Sequence, residues 1–532
     1  MTTPDAAAGP VGDAATGSAP RALADPVAGP GQLEPRRWLK VIDQTRCIGC
    51  HACTTACKSE NEVPLSVTRT YVKSVDVGEF PQARRAFQVT RCNQCQDAPC
   101  VAACPTGAMF TRPDGIVDFD KDACIGCKAC MAACPYDAIF INPEDHSAEK
   151  CNFCAHRIDA GLEPACVVVC PTEAIVVGWA GGSPAAAIAA REPVAVRRPE
   201  KGTRPTLFYR GAAQATLDPL AARRPAGDTF AWSEIQRGRG RVVSGYPGGG
   251  NSSAAALLSY DIGHRAPWDW RVSAYTWAKG VAAGAYLVAV LATVAGYLSW
   301  RSVLTVWAAP LIAAAFLAVT AGLLIGDLEH PKRFIYILTR PQWRSWLVRG
   351  GVILAGYAVV LGVHLLAGVT GSTGLQQAIA VPGVPLAAAA AVYTAYLLAQ
   401  AKGRDLWQNP LLPAHLLVQA GAAGSAALLL AAAWWQPAAA GWLGWILMGT
   451  CAAHVLLALG EAGMGHPTEH ARLAAREMTH GRLGWWFWAG LGLAAAGVAA
   501  PVAGAWVAPL ALAGLAAYEH AYIQAGQCVP LA

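Results

Sequence analysis

Sixteen of the 18 cysteines lie between Cys47 and Cys170, in four groups of four. They are Cys47, Cys50, Cys53, Cys57; Cys92, Cys95, Cys100, Cys104; Cys124, Cys127, Cys130, Cys134; and Cys151, Cys154, Cys166, Cys170. The spacings are C-x2-C-x2-C-x3-C, C-x2-C-x4-C-x3-C-P, C-x2-C-x2-C-x3-C-P and C-x2-C-x11-C-x3-C-P. Three closely spaced thiolates on a tight loop suit three irons of a cubane, while the fourth, on the helix that follows, points toward a neighbouring cluster. The proline after Cys104, Cys134 and Cys170 stops that helix and turns the chain. Structural zinc uses two C-x2-C pairs per metal, not quartets with x3 before the last cysteine. Disulfides need an oxidising compartment. RRWLK at 36–40 is followed by VIDQTRC and no apolar segment, so no export signal is read there. Sixteen thiolates at four per cubane make four [4Fe–4S] clusters the expected cofactors.

The stretches CNQCQDAPCVAACPTGA and KCNFCAHRIDAGLEPACVVVCPTEAI resemble the iron–sulfur subunits of the dimethyl sulfoxide reductase family, over residues 38 to about 180. The resemblance implies that the first group pairs with the fourth and the second with the third. One cluster then takes Cys47, Cys50, Cys53 and Cys170, and the next Cys57, Cys151, Cys154 and Cys166. A third takes Cys92, Cys95, Cys100 and Cys134, and the fourth Cys104, Cys124, Cys127 and Cys130. Some relatives replace a cysteine of the third group; Cys127 is present here, so no such change is expected.

The elements that hold these groups divide the chain. Of its 532 residues 54% are hydrophobic and only 14% charged, too apolar for an ordinary soluble protein. The cysteines lie early and the long uncharged runs lie after Lys279, so a cysteine-rich domain precedes a membrane domain. Residues 1–37, rich in Ala, Gly and Pro, read as a disordered tail. Residues 181–266, with RGRGRVVSGYPGGGNSS as their extreme, read as an irregular linker. The expected fold is an α+β bacterial-ferredoxin-like domain of tandem ferredoxin repeats over 38–180, then an all-α bundle over 267–532. Net charge is +6, and no aromatic-plus-basic motif for nucleic acid appears.

Charges delimit the spans. Uncharged runs from Lys279 to Arg301 and from Arg301 to Asp327 each suffice for one helix across a ~30 Å core. The runs 350–401, 406–460 and 483–518 each hold two, broken at GVTGSTG, WWQPAAAGW and APVAG. Eight helices result, with both ends on one side. That side carries eleven basic residues: Arg265, Arg271, Lys332, Arg333, Arg340, Arg344, Lys402, Arg404, Arg472, Arg476 and Arg482. The other carries Arg301 alone, which places the cysteine domain and both termini in the cytoplasm of a bacterium, at its inner membrane.

PWDWRVSAYTWAKGVAAGA and DLEHPKRFIYILTRPQWRSWL resemble the NrfD-like membrane subunits of polysulfide reductase, over roughly 265 to 525. That resemblance implies a quinone-reactive anchor. Fused to the cluster domain, it would link a catalytic subunit on another chain to the quinone pool. The expected partner is a molybdenum or tungsten bis-pterin protein oxidising, for example, formate or sulfite. A hydrogenase-type partner, a proton-translocating module and a b-haem anchor are the alternatives. For haem the candidates are His364, His415, His454 and His520, and none is expected to bind it. The quinone is placed at the cytoplasmic edge of the first two spans. Asp327 or His330 would exchange protons, and Lys279 or Tyr275 would bond a quinone carbonyl. The simpler alternative pairs Asp327 with an arginine and lets Lys279 reach the headgroups. The cluster nearest the membrane is expected from the first and fourth groups, because the fourth leads into the membrane domain.

Overall fold

The computed structural model describes residues 36–223 and 256–532. The tail read over 1–37, except its last two residues, and the 224–255 part of the linker lie outside the described residues.

The cysteine domain is built from short strands: β1 (Trp38–Asp43), β2 (Thr70–Val77), β3 (Arg84–Arg91), β4 (Met109–Thr111), β5 (Val117–Phe119), β6 (Ile139–Ile141), β7 (Ala148–Lys150), β8 (Ile175–Trp179), β9 (Val194–Ala195), β10 (Leu207–Arg210) and β11 (Leu257–Tyr260). β1 lies inside a sheet ordered β8-β1-β10-β9, antiparallel to β8 and parallel to β10; Lys40 faces Val177 on one side and Leu207 on the other. β1 leads into the first cysteine group and β8 leaves the fourth, so this pairing draws those two groups together. The hairpins β4–β5 and β6–β7 follow Cys104 and Cys134 and flank the second and third groups.

Residues 184–217, expected to be irregular, complete this domain instead. The helix Pro184–Arg191 lays Ala185, Ala186 and Ala189 on Leu39, Val41 and Phe208, and β10 pairs with β1. Four-residue strands amid Gly, Pro and Arg carry too little periodicity to be seen before their partner is known.

Seven stretches among the described residues are long and apolar enough to cross a membrane. They contain the helices α1 (Trp270–Val294), α2 (Ala309–Gly326), α3 (Trp346–Val369), α4 (Thr373–Ala399), α5 (Leu412–Trp435), α6 (Ala440–Gly463), α7 (Gly484–Ala495) and α8 (Ala508–Gly526). The last stretch, Gly484–Gly526, spans 43 residues and is not straight. It breaks at short turns over 496–507, where Gly504 has φ +65°, and α7 and α8 pack together through Gly490 and Gly514.

α1 and α5 form the centre, 78% and 72% buried, against 33% for α2, α3 and α6, whose outer faces are left for lipid. Between helices in lipid, close packing replaces the hydrophobic drive, so small residues mark the contact. A Cβ on Gly284 of α1 would collide with the Ala420 carbonyl oxygen of α5, so only glycine admits this crossing. Exposed tryptophans gather at both ends of the bundle. Trp270, Trp343, Trp485 and Trp488 lie toward the cysteine domain, and Trp434, Trp435 and Trp506 lie at the far end. Such belts mark headgroup levels.

Candidate metal centres and the junction with the membrane

In every cysteine group the residue just before the second cysteine adopts a left-handed conformation. These are Gly49 (φ 70°), Gln94 (48°), Gly126 (69°) and Phe153 (65°). His51 and Lys128 repeat it one step after Cys50 and Cys127. Alternating left- and right-handed residues turn successive backbone N–H groups inward, which forms a cradle for an anionic cluster. Non-glycine residues hold such backbone at a cost of about 1–3 kcal/mol each, so the loops are shaped for something.

Two hollows show what. One is lined by Cys104, Cys124, Cys127 and Cys130, the other by Cys92, Cys95, Cys100 and Cys134. Cys57 faces Cys151, Cys154 and Cys166, and Cys47 faces Cys50 and Cys170, with Cys53 close to Cys47 and Cys170. Each of these sets joins three cysteines of one group to one cysteine of another. Among the described residues no three His, Cys, Asp or Glu side chains converge on a point that one metal ion could fill. Quartets around a hollow suit a cubane, not a zinc ion with Zn–S of ~2.3 Å. Backbone N–H groups point at the sulfurs: Met109 to Cys104 Sγ at 3.4 Å, Gly126 and Ala148 to Cys124 Sγ at 3.4 Å, and Ala174 to Cys170 Sγ at 3.2 Å.

Burial pushes the Cys53 and Cys134 thiols up to about 11. Deprotonated, they need positive charge, which metal binding supplies. Cys166 differs: burial raises it too, but Arg91 and Lys40 beside it bring it down to about 7. Arg91 Nη1 donates to Cys166 Sγ at 2.9 Å, Lys40 Nζ stands 3.9 Å away, and Asn61 Nδ2 reaches Cys57 and Cys154 Sγ at 3.6 and 3.7 Å.

The quartets form a line. Cys53 neighbours Cys166, Cys92 neighbours Cys151, and Cys130 neighbours Cys100. Cys50 is exposed at one end, beside Ile48, which is 57% exposed. The other end rests on the membrane helices. Trp268 Nε1 donates to the Cys127 carbonyl at 3.2 Å, and the backbone N–H groups of Glu329 and His330 reach the Gly126 and Ile125 carbonyls at 3.4 and 3.2 Å. Arg333 Nη1 donates to the carbonyls of Lys121 and Cys124 at 2.8 and 3.0 Å, and Ser345 and Gln342 hold Ala103 and Val101. The quartet against the membrane is therefore Cys104, Cys124, Cys127, Cys130. The expectation that the first and fourth groups lie nearest is overturned, because the β1 sheet carries them away while the 327–345 segment clasps the third group.

At this junction Lys128 Nζ bonds the Asp327 carbonyl at 2.9 Å and its Oδ1 at 3.3 Å, with Glu329 at 3.2 Å. Asp327 thus pairs with a lysine of the cysteine domain, not with an arginine. Burial lifts its carboxyl to about 6 although Lys128 pulls it down. Tyr275, buried, stands close to Asp327 and to Tyr393. Lys279 is not at the membrane edge. Nine residues into α1, about 13 Å deep at ~1.5 Å per residue, it is 1% exposed. Its amine donates to the Ala391 carbonyl at 2.6 Å and lies 4.9 Å from the Tyr393 ring centre, so it does not reach the headgroups. His330 turns the other way, 6.4 Å from the His146 ring, with Nε2 buried and unpartnered. Asp327, Tyr275 and Lys279 form one file along α1, and His330 stands apart.

In a second polar group, His415 and His454 read from the sequence only as haem candidates, and Glu461, Tyr518 and Glu519 beside them escape that reading. His415 shares hydrogen bonds with Glu461 at 3.1 Å and His454 at 2.9 Å, and Tyr518 donates to Glu461 at 3.2 Å. Glu519 faces Lys279, His415 and Gln419. His364 bonds Tyr286 and the Thr305 carbonyl, and His520 lies on Trp486.

Comparison with known proteins finds matches in both parts of the chain. Residues 84–180 match the 4Fe-4S dicluster domain, and residues 260–514 match polysulphide reductase, NrfD. A tetrathionate reductase subunit of Salmonella typhimurium is 42% identical over 211 residues, 37% of this chain and 81% of that relative. A polysulfide reductase polypeptide of Wolinella succinogenes is 40% identical over 178 residues, 32% of this chain and 93% of the relative. Thiosulfate reductase electron transfer subunit PhsB of Salmonella typhi is 47% identical over 145 residues, 27% and 76%.

Proposed function

We propose, from the premise that this protein belongs to the dimethyl sulfoxide reductase-family iron–sulfur subunits and carries an NrfD-like membrane part fused behind them, that it links a catalytic subunit to the quinone pool through four clusters. Bound in the four quartets, [4Fe–4S] clusters supply one-electron transfer along the line from Cys50 to Cys127. The ligands are the sixteen cysteines, in the sets Cys47/50/53/170, Cys57/151/154/166, Cys92/95/100/134 and Cys104/124/127/130. The β1–β8 unit holds the first two sets, and the unit of the two hairpins, inserted in it, holds the others as a second ferredoxin repeat.

The observation that carries the reading is the seat of the Cys104/124/127/130 hollow directly on Trp268 and the 327–345 segment. A quinone entering from lipid along the poorly covered α2 meets Asp327 and Tyr275 below that hollow. Tyr275 orients a carbonyl, Lys279 backs it deeper in, and Asp327, with His330 on the water side, exchanges protons. At the opposite end the exposed Ile48, Val168 and Val169, around Cys50, offer the partner its docking point. That partner is a molybdenum or tungsten bis-pterin protein, of a formate- or sulfite-oxidising kind. It lies on the cytoplasmic side, since the loops beneath the cysteine domain carry the basic residues. Counting α7 and α8 as separate crossings gives eight spans; their 43 residues, straight, would reach about 65 Å, twice the ~30 Å core.

The test is Asp327→Asn and His330→Ala in the assembled complex. Turnover with a soluble dye stays, while turnover with quinone falls by about 10²-fold for Asp327→Asn and less for His330→Ala. Unchanged quinone turnover in both removes the site from this junction.

A further inference from the structure

The segment between α2 and α3 has two faces of different character. Its inner face holds backbone of the cysteine domain. Arg333 donates to the Lys121 and Cys124 carbonyls, and Ser345 Oγ to that of Ala103 at 2.9 Å. The Gln342 backbone and side chain donate to the Pro105 and Val101 carbonyls at 2.9 and 3.0 Å. Its outer face is apolar and basic together. Phe334, Ile335, Leu338 and Trp343 are 40–58% exposed. Lys332, Arg340 and Arg344 are exposed among them, and Arg349 follows on the first turn of α3. A stretch with aromatic and aliphatic side chains between cations suits the headgroup plane of a bilayer.

Positive charge at a membrane edge is common, and the orientation of the chain accounts for its sign. It does not account for how these cations are held. Exposed arginines of the cysteine domain such as Arg46, Arg85 and Arg204 sit on the carboxylates of Glu173, Asp76 and Asp97. Lys332, Arg340, Arg344 and Arg349 form no ion pair among the described residues. Aromatic rings fix two of them instead. Arg349 Cζ stands 5.0 Å from the Trp346 ring centre, and that ring stacks on Tyr396 of α4 at 4.4 Å. Arg340 Cζ stands 5.0 Å from the Tyr336 ring centre. Arg349 Nε donates to the Trp343 carbonyl at 2.8 Å, which ties it to the residue before Arg344, and Gln400 Nε2 holds the Arg344 carbonyl at 2.8 Å. A guanidinium fixed on a ring keeps its outer N–H groups for a bidentate contact with phosphate.

The cations also head an apolar track. Arg349, Val352, Val359 and Leu366 follow at intervals of three and seven residues along one face of α3, and all are exposed. From Arg349 to Leu366 the track runs about 25 Å at ~1.5 Å per residue, longer than one leaflet of a ~30 Å core.

We propose that the outer face of this segment is a binding site for an anionic phospholipid. The phosphate bonds the guanidinium groups of Arg344 and Arg349, with Arg340 beside them, and an acyl chain runs down Val352 and Val359. A headgroup without a cation suits the site, because no carboxylate pairs with these arginines to meet choline or an ammonium. The inner face of the same segment seats the Cys104/124/127/130 quartet, so the lipid braces the cysteine domain on the membrane part. The site does not depend on the quinone reading.

The test is native mass spectrometry of the full chain, loaded with its clusters, in a neutral detergent with phosphatidylglycerol, phosphatidylcholine or inorganic phosphate added. The unaltered chain prefers phosphatidylglycerol to phosphatidylcholine by about tenfold or more and does not retain inorganic phosphate. Arg340→Gln, Arg344→Gln and Arg349→Gln together weaken phosphatidylglycerol binding about a hundredfold, near fivefold per cation, whereas lysine at all three positions stays within about tenfold. Arg476→Gln with Arg482→Gln, which removes exposed cations elsewhere on that side, leaves the affinity unchanged. The lipid preference needs no variant, and visible absorption of the clusters checks that each variant is folded. Equal affinity for the two lipids, or equal losses in the triple and the double variant, overturns the site in favour of diffuse attraction. Retention of inorganic phosphate without a lipid preference makes it a free-anion site and overturns the lipid. Loss of the lipid when the catalytic subunit is added gives the face to a protein and overturns it too.

Discussion

Replacing Arg91 with glutamine separates the charge around one cluster from its ligands. Arg91 is 2% exposed, donates to Cys166 Sγ at 2.9 Å and faces Cys53, Cys57 and Cys151 as well. A positive charge favours the reduced, more negative cluster, so removing it lowers the potential. Taking a separation of ~6 Å between this charge, 2.9 Å from Cys166 Sγ, and the charge of a bound cluster, and an effective dielectric of ~20, its contribution is about 3 kcal/mol. At ~2.3 kcal/mol per 100 mV that is about 120 mV for one electron. Water drawn into the vacated space weakens this, so a fall of about 60–120 mV is expected. Lys40, 3.9 Å from the same sulfur, stays in place and keeps the quartet from losing all its cationic surroundings. The assay is a redox titration followed by electron paramagnetic resonance on the cluster-loaded chain. One potential falls by that amount in Arg91→Gln and hardly moves in Arg91→Lys, which keeps the charge. A rise, an unmoved set, or four equal shifts would refute the electrostatic argument.

Single contacts elsewhere give further tests. His264, 6% exposed, lies between Asp137 at 2.5 Å and Asp261 at 3.2 Å, and these carboxylates raise it to about 9 although burial alone lowers it. A raised pKa stabilises the fold fully below pH ~6.5, by up to about 3 kcal/mol, and that share disappears as pH rises through about 9. The melting temperature of His264→Gln should therefore lie below that of the unaltered chain at pH 6 and approach it above pH 9; a gap independent of pH contradicts this. Gly284→Ala drives a Cβ into the Ala420 carbonyl oxygen and should cost about 1–3 kcal/mol or more, read as lost yield of folded protein in detergent, whereas Gly280→Ala meets open space and should be silent. A periplasm-active reporter fused after Thr373 should be active and one fused after Arg404 inactive; the reverse pattern inverts the proposed orientation.

The four cysteine groups are legible because cubane ligands sit largely at short, fixed separations in the chain, which a sequence displays directly; that each set borrows one cysteine from another group is implied only by the family resemblance. Their order in space is not legible there. It depends on β1 pairing with β8 and β10, more than 130 residues away, and on the 327–345 segment folding under Cys127. Charge works as a helix boundary at Arg301 and misleads elsewhere. Lys279, Glu461 and Glu519 look like the limits of uncharged runs, yet all three are helical and buried. What makes them tolerable is one another and His415, a juxtaposition of α1, α5, α6 and α8 that no local pattern reveals. Asp327 does stand at a helix end, but its partner, Lys128, comes from the other domain.

The central claim is an unbroken electron line from sixteen cysteines to a quinone. Its most direct test is the paramagnetic resonance of the full chain in lipid discs, reduced, freed of reductant, and recorded before and after one addition of a quinone. The account predicts about four spins per molecule, from four one-electron [4Fe–4S] centres, and their loss together when quinone is added. About two spins, or a signal that quinone leaves untouched, would contradict it.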